Sequence, residues 1–201
     1  MAILRHGVPC AVVKVLRRLL ALITILVVAG GAVRPAASSV EGLSEYEVKA
    51  AFLFNFTRFV EWPSSAFATD KAPFVIGLFH SDPFGAALRR VVEGQTVRGR
   101  PVEIRIVKRY DEVRACHLVF VSAAEEPRSP DLLRSGAVGQ ARAVGESSGF
   151  AQAGGVMNFV MDGPRVRFEV NLRAARRAGL KLSSRLLSMA RLVDRRPGDE
   201  L

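Results

Sequence analysis

Cysteine is nearly absent from this chain: of 201 residues only Cys10 and Cys116 are cysteine. Cys10 lies ahead of an apolar run near the start, which leaves Cys116 alone in the remainder and excludes an internal disulfide there. Cys116 sits in an apolar, strand-like segment, where a small buried hydrophobe is the expected role. Histidine is as scarce, with His80 and His117 alone beyond residue 37. Neighbours in a strand point to opposite faces, so Cys116 and His117 cannot address one ion, and no metal is expected. There is no glycine-rich phosphate loop either. Gly154-Gly155 runs into a strand rather than a helix and lacks amides at a helix start, so a turn or bulge is expected. No nucleophile elbow surrounds Ser122, and Asp82 is accounted for as a helix cap, so a hydrolase triad of Ser122, His80 and Asp82 fails on pattern. No cofactor, no enzymatic activity and no internal repeat is predicted.

Acidic residues are missing from the first 37 positions, which hold five basic side chains. Arg5, Lys14, Arg17 and Arg18 precede an apolar run over 19–29, and small residues follow: the order of a secretory signal. Residues 1–37 are therefore read as a signal peptide, with cleavage after Ala32, Ala37 or Ser38, and the protein as exported. The apolar run is short of a bilayer span, which disfavours an uncleaved anchor. The formal net charge of +10 divides unevenly. Residues 38–172 balance at 16 basic against 16 acidic, and residues 173–201 carry eight basic and three acidic. A basic end suits an anionic membrane surface or an acidic partner, and equally an ordinary solvated helix face. Export and the lack of an aromatic-basic motif exclude nucleic acid.

The most informative stretch is 44–63. Ser44 and Glu47 have capping-box spacing, apolar residues recur at 48, 51, 52, 56, 59 and 60, and Ala50, Leu53 and Phe54 widen the stripe. Lys49, Asn55, Thr57, Arg58 and Glu61 are left for water. Pro63 turns the chain at Trp62. Strands are predicted over 74–79, 102–107, 117–121 and 141–145. Helices are predicted over 84–93, with Asp82 as N-cap and Pro83 first, and over 130–135, stopped by Gly136, with one helical turn at 110–114. A hairpin turns at Asp162-Gly163-Pro164, and two helices follow, 173–178 stopped by Gly179 and one capped by Ser183 whose stripe reaches Val193. The fold class is α/β: a single mostly parallel sheet with helices on both faces and a C-terminal antiparallel hairpin. The boundaries are 38–194 for the domain and 195–201 for a frayed tail.

The run 48–56 (VKAAFLFNF) followed by 59–63 (FVEWP) resembles the opening of the YfiR family, periplasmic repressors of an inner-membrane diguanylate cyclase. Residues 116–122 (CHLVFVS), Gly154-Gly155, 167–171 (RFEVN), Ala174-Ala175, Gly179-Leu180 and Leu186-Leu187 are similar to its later segments, so the likeness extends over about 44–193. It implies a single sheet flanked by helices and a non-enzymatic regulator that represses the cyclase by binding its periplasmic sensor domain. Characterised relatives pair cysteines in the mature domain; Cys116 has no partner for such a switch.

The polar groups singled out for ligand or partner binding are Arg58, Glu61, Trp62, Arg167 and Asn171. Arg58 and Glu61 stand at i and i+3 and are able to pair. Arg167, Glu169 and Asn171 share one strand face, opposite Val166, Phe168 and Val170. If the first helix covered that face, two arginines and an aromatic would converge on an anion; the same stripe reads also as a surface ion-pair ladder. The alternative function is a periplasmic solute-binding protein for a small anionic or aromatic ligand, gripped by Arg58, Trp62 and Arg167 at the strand-end crevice. A homodimer is a further possible partner state.

Overall fold

The computed structural model describes residues 43–135 and 142–193. The leader and its cleavage sites, Cys10, Gly136 and the 195–201 tail lie outside the described residues.

Helix α1 (Glu45–Phe59) begins as the spacing predicts. The Ser44 hydroxyl accepts the Glu47 amide at 3.3 Å, and the Glu47 carboxylate accepts the Ser44 amide at 2.9 Å. Ala50, Leu53, Phe54 and Phe56 are buried, worth roughly 1.5–3 kcal/mol for each large side chain. Lys49 and Thr57, assigned above to water, are buried too. Thr57 turns its hydroxyl back on the Phe54 carbonyl at 2.6 Å, and Lys49 meets carboxylates.

Eight strands form the main sheet: β2 (Phe74–Phe79), β3 (Thr96–Val97), β4 (Arg100–Val107), β5 (Leu118–Val121), β6 (Arg142–Gly145), β7 (Met157–Asp162), β8 (Arg165–Asn171) and β10 (Arg191–Val193). Their order is β10-β8-β7-β6-β5-β2-β4-β3. The stretch β4-β2-β5-β6-β7 is parallel throughout, the 2-1-3-4-5 order of a doubly wound fold, while β8 returns antiparallel on β7. A two-stranded ribbon pairs β1 (Val60–Glu61) with β9 (Lys181–Leu182). Helices α1, α2 (Ala86–Val92), α5 (Leu172–Arg177) and α6 (Ser184–Met189) bury apolar residues against Phe74, Ile76, Leu118, Phe120, Phe159 and Phe168 on one face. On the other face, α3 (Tyr110–Val113) and α4 (Ser129–Arg134) place Val113 and Leu132 against Val75, Phe79, Val119 and Ala143. The predicted mostly parallel sheet with an antiparallel hairpin and helices on both faces is present.

Two boundaries differ from expectation, each for a local reason. Asp82 does accept two amides, from Phe84 and Gly85 at 3.0 Å, but Gly85 has φ 54°, so these bonds close a turn and α2 starts only at Ala86. The last helix stops at Met189 because Ala190 is extended, and the chain then pairs in parallel with the otherwise open edge of β8. The chain after Pro63 makes a 3-10 turn (Ser64–Ala66) before reaching the sheet.

The glycine pair has a packing cause. The Phe150 ring lies between Gly145 and Gly155, and a Cβ on either glycine would come within 2.3 Å of a ring atom. Gly154 holds φ +121°, a conformation side chains avoid. Asn158 and Asn171 pin the same loop from the sheet, donating to the Ser147 and Ala151 carbonyls at 3.0 and 2.8 Å. Gly155→Ala is expected to cost about 1–3 kcal/mol by overpacking. In a Phe150→Ala background the same change should cost much less, read as midpoints of urea unfolding.

Candidate functional site

In a 2-1-3-4-5 sheet the usual ligand crevice lies beyond the carboxyl ends of the strands. Here the protein's own side chains occupy it. Glu146 follows β6 with 4% of its side chain exposed, and its carboxylate accepts the Tyr46 hydroxyl at 2.9 Å, the Ala123 amide at 2.9 Å and the Lys49 ammonium at 2.5 Å. Lys49 also pairs with Glu45 one turn back. Burial, with Glu146 as acceptor, pushes the Tyr46 hydroxyl well above its ordinary range. A cleft of about 380 Å³ remains beside this network, between Ser148 and the end of β7. No triad forms: Ser122 faces Ser81, with hydroxyl oxygens 3.3 Å apart. The Asp82 carboxylate is held by two amides and by Arg89.

The residues singled out from sequence separate into interior and surface groups. Trp62 is 3% exposed; its indole N–H donates to the Thr57 carbonyl at 2.8 Å, closing the end of α1, and its ring meets Phe74 edge-on. Asn171 is buried, capping α5 by accepting the Ala174 amide at 2.8 Å while donating to Ala151. Arg58 is exposed, its guanidinium 5.9 Å from the Phe54 ring. Glu61 does not pair with Arg58 in helical register, because the helix has ended; it lies in β1, 3.8 Å from Lys181 across the ribbon. Arg167 is exposed and 3.8 Å from Asp162.

The condition set for Arg58 and Arg167 to converge, that α1 cover the strand face bearing Arg167, is not met, because of the sheet's own alternation. Phe52 of α1 contacts Phe168 at 5.5 Å between ring centres, so the helix covers the Val166, Phe168 and Val170 face. The opposite face, with Glu169 and Asn171, lies under the 146–156 loop, and Arg191 of β10 reaches Glu169 at 3.8 Å.

Two surface clefts meet at α6, and no motif in the sequence marks them. One, of about 240 Å³, lies between Phe52, Asn55 and Phe59 of α1 and Arg185 and Met189. The other, of about 460 Å³, runs from Met161 and Arg167 of the hairpin to Met189 and Arg191. They share Phe168 and Met189. Met161 and Met189, which line the second cleft, are about half exposed, as is Leu192 of β10. Among the described residues no cluster of histidine, cysteine or carboxylates is arranged to hold a metal ion.

Comparison with known proteins decides the family. The YfiR/HmsC-like family model matches residues 46–191. The chain belongs to the YfiR/HmsC-like family. Members of this family are regulators rather than catalysts, acting from the periplasm in cyclic-di-GMP signalling. No curated protein matches the chain. Among solved structures, a conserved domain protein from Vibrio cholerae O1 biovar eltor is similar with a TM-score of 0.50 at 10% identity, covering 75% of this chain and 60% of that one. The ABC domain from Streptococcus pneumoniae, in complex with L-Trp, gives 0.43 at 13% identity over 60% and 56%. At such identities the first likeness speaks to the fold alone, and this YfiR/HmsC-like chain spans about three fifths of the structures it resembles. No helix among the described residues is long and apolar enough to cross a membrane.

Replacing Lys49 by Met leaves the Glu146 carboxylate buried without its cation, which is expected to cost about 3–5 kcal/mol. Adding Glu146→Gln should restore much of the loss, a coupling that thermal unfolding of the single and double variants measures. Cys116 is 4% exposed, and burial pushes its thiol up to about 11. Iodoacetamide at pH 8 should therefore leave the native protein unmodified and alkylate it only on unfolding, by mass spectrometry.

Proposed function

We propose that this chain is a periplasmic repressor which binds the outward-facing sensor domain of an inner-membrane diguanylate cyclase and holds the enzyme inactive. The observation that carries this reading is the family match across the whole described domain. Residues 1–37 act as the export signal, 38–194 as the regulatory domain and 195–201 as a tail. Repression is a population shift: the protein binds the inactive arrangement of the cyclase more tightly than the active one.

The contact surface is the α6 region, with the half-exposed Met161, Met189 and Leu192 as its apolar part and the exposed charges Arg58, Glu61 and Arg167 assigned to its rim. An apolar centre with a charged rim is what a transient protein interface requires, the centre for affinity and the rim for orientation. Trp62 and Asn171 serve this surface indirectly, the first by fixing the end of α1 and the second by starting α5.

A second reading, a solute-binding protein, is favoured by the smaller cleft, where Phe52, Phe59 and Arg185 offer aromatic faces and a guanidinium to a small anionic aromatic ligand. Arg185 already lies 5.5 Å from the Phe59 ring.

The test is co-purification of the protein with the periplasmic domains of diguanylate cyclases from its own organism, together with cyclase activity in membranes. Capture with lowered activity is expected, and Met189→Asp should weaken capture at least tenfold while leaving the thermal midpoint unchanged. Failure to capture any cyclase, with a thermal shift caused by one class of small aromatic acid, would replace the repressor reading by the second.

A further inference from the structure

At the end of the sheet opposite the Glu146 network, a recessed cavity of about 200 Å³ is lined by Ser65, Ala66, Arg114, Ala115, Cys116, His117 and Arg142. Its chemistry is one-sided. No carboxylate is among the lining residues, and two guanidinium groups are. The nearest carboxylates on that side are already committed: Glu103 to Arg105, and Glu112 to the Lys108 and Arg109 amides.

His117 gives the cavity its direction. It is 7% exposed and clamped between the Phe67 and Phe74 rings, with ring centres 4.6 and 5.0 Å away. Its Nδ1 accepts the Val75 amide at 3.0 Å, which puts the proton of the neutral ring on Nε2. That Nε2 lies beside the Ala66 carbonyl but completes no hydrogen bond. A buried donor left in this state costs free energy unless something accepts from it. Burial, followed by the positive charge of Arg142, Arg100 and Arg105, holds the imidazole below its ordinary range, so the surroundings of this donor are electropositive.

Arg142 is 6% exposed, with one nitrogen donating to the Ala178 carbonyl at 2.7 Å and the guanidinium 5.5 Å from the Trp62 ring. Burial works against its charge. A guanidinium presents five donors in a planar fork that matches an oxyanion, and Arg142 is among the residues that line the cavity. Arg114 lines the same cavity from an exposed position.

We propose that this cavity is a binding site for a small free oxyanion of the phosphate or sulfate type, held by the Nε2–H of His117 and the guanidinium groups of Arg142 and Arg114. The site lies at the amino ends of β5 and β6, away from the α6 surface, so it is independent of where a partner docks. Its volume suits an inorganic anion and is small for a nucleotide.

The chain contains one tryptophan, Trp62, which lies against Arg142, and three histidines, so both ends of the site have their own spectroscopic reporter. The experiment titrates the purified protein with inorganic phosphate, following Trp62 emission and the His117 imidazole resonances, with chloride at matched ionic strength as the control. A saturable response to phosphate, absent with chloride, is expected. Arg114→Ala, at an exposed position, should weaken it about tenfold or more without changing the far-ultraviolet spectrum, as for loss of a charge-assisted hydrogen bond. Arg142→Met should abolish it if that variant folds; Arg114→Ala keeps the test decisive if it does not. A response identical for phosphate and chloride, or one unaffected by Arg114→Ala, would overturn the proposal. So would binding to phosphatidylglycerol vesicles with none to free phosphate, since that assigns the surface to lipid headgroups.

Discussion

A carboxylate buried at the end of β6 is the constraint on which much of this structure turns. Glu146 stands where a doubly wound sheet ordinarily receives its ligand, and taking an ionised carboxylate out of water is tolerable only with a cation and several donors around it. Lys49 and Tyr46 supply two of these partners from α1, and the Ala123 amide supplies a third. That fixes the register of α1 on the sheet from one end. At the other end the Trp62 indole takes the Thr57 carbonyl, one of those a helix terminus leaves without a partner, so the helix is held at both ends with its apolar stripe pressed between. The crevice is consequently lined by groups already committed to one another, with a cleft of about 380 Å³ left beside them.

The parts of this arrangement that the sequence announces are those governed by local rules. The capping box, the Asp162-Gly163-Pro164 turn and the alternation of β8 depend on neighbours a few residues away, and each is found where predicted, whereas the most buried face of α1 is rotated from the predicted stripe to take in Lys49 and Thr57. What the sequence conceals depends on partners far along the chain. Lys49 looks like a solvated lysine until Glu146, 97 residues away, is seen beside it. Asn171 and Glu169 look like a functional stripe until the 146–156 loop is found over them. The purpose of Gly154-Gly155 is visible only with the Phe150 ring in place, since nothing in the dipeptide says whether it serves a turn, a ligand or a neighbour's bulk. The β10 strand is hidden for a related reason: its pairing with β8 overrides a helical stripe that runs on without a stop signal.

Family membership makes this chain one of a family of regulators in cyclic-di-GMP signalling. The YfiR/HmsC-like fold places half-exposed apolar side chains at α6, β10 and the hairpin tip, and it places aromatic rings and arginines in a separate stack at the other end of the sheet. That stack runs Arg100, Phe67, His117, Phe74, Trp62, Arg142, with neighbouring groups between 3.9 and 5.5 Å apart.

The measurement that bears most directly on the central claim is amide hydrogen exchange of the protein alone and in the presence of a cyclase sensor domain. The account predicts slowed exchange in α6, β10 and the hairpin tip at 161–167, with the crevice segments at 81–82, 122–123 and 146–148 unchanged. Slowed exchange confined to those crevice segments would contradict it, because the partner would then be entering the space that Glu146, Lys49 and Tyr46 are held to close.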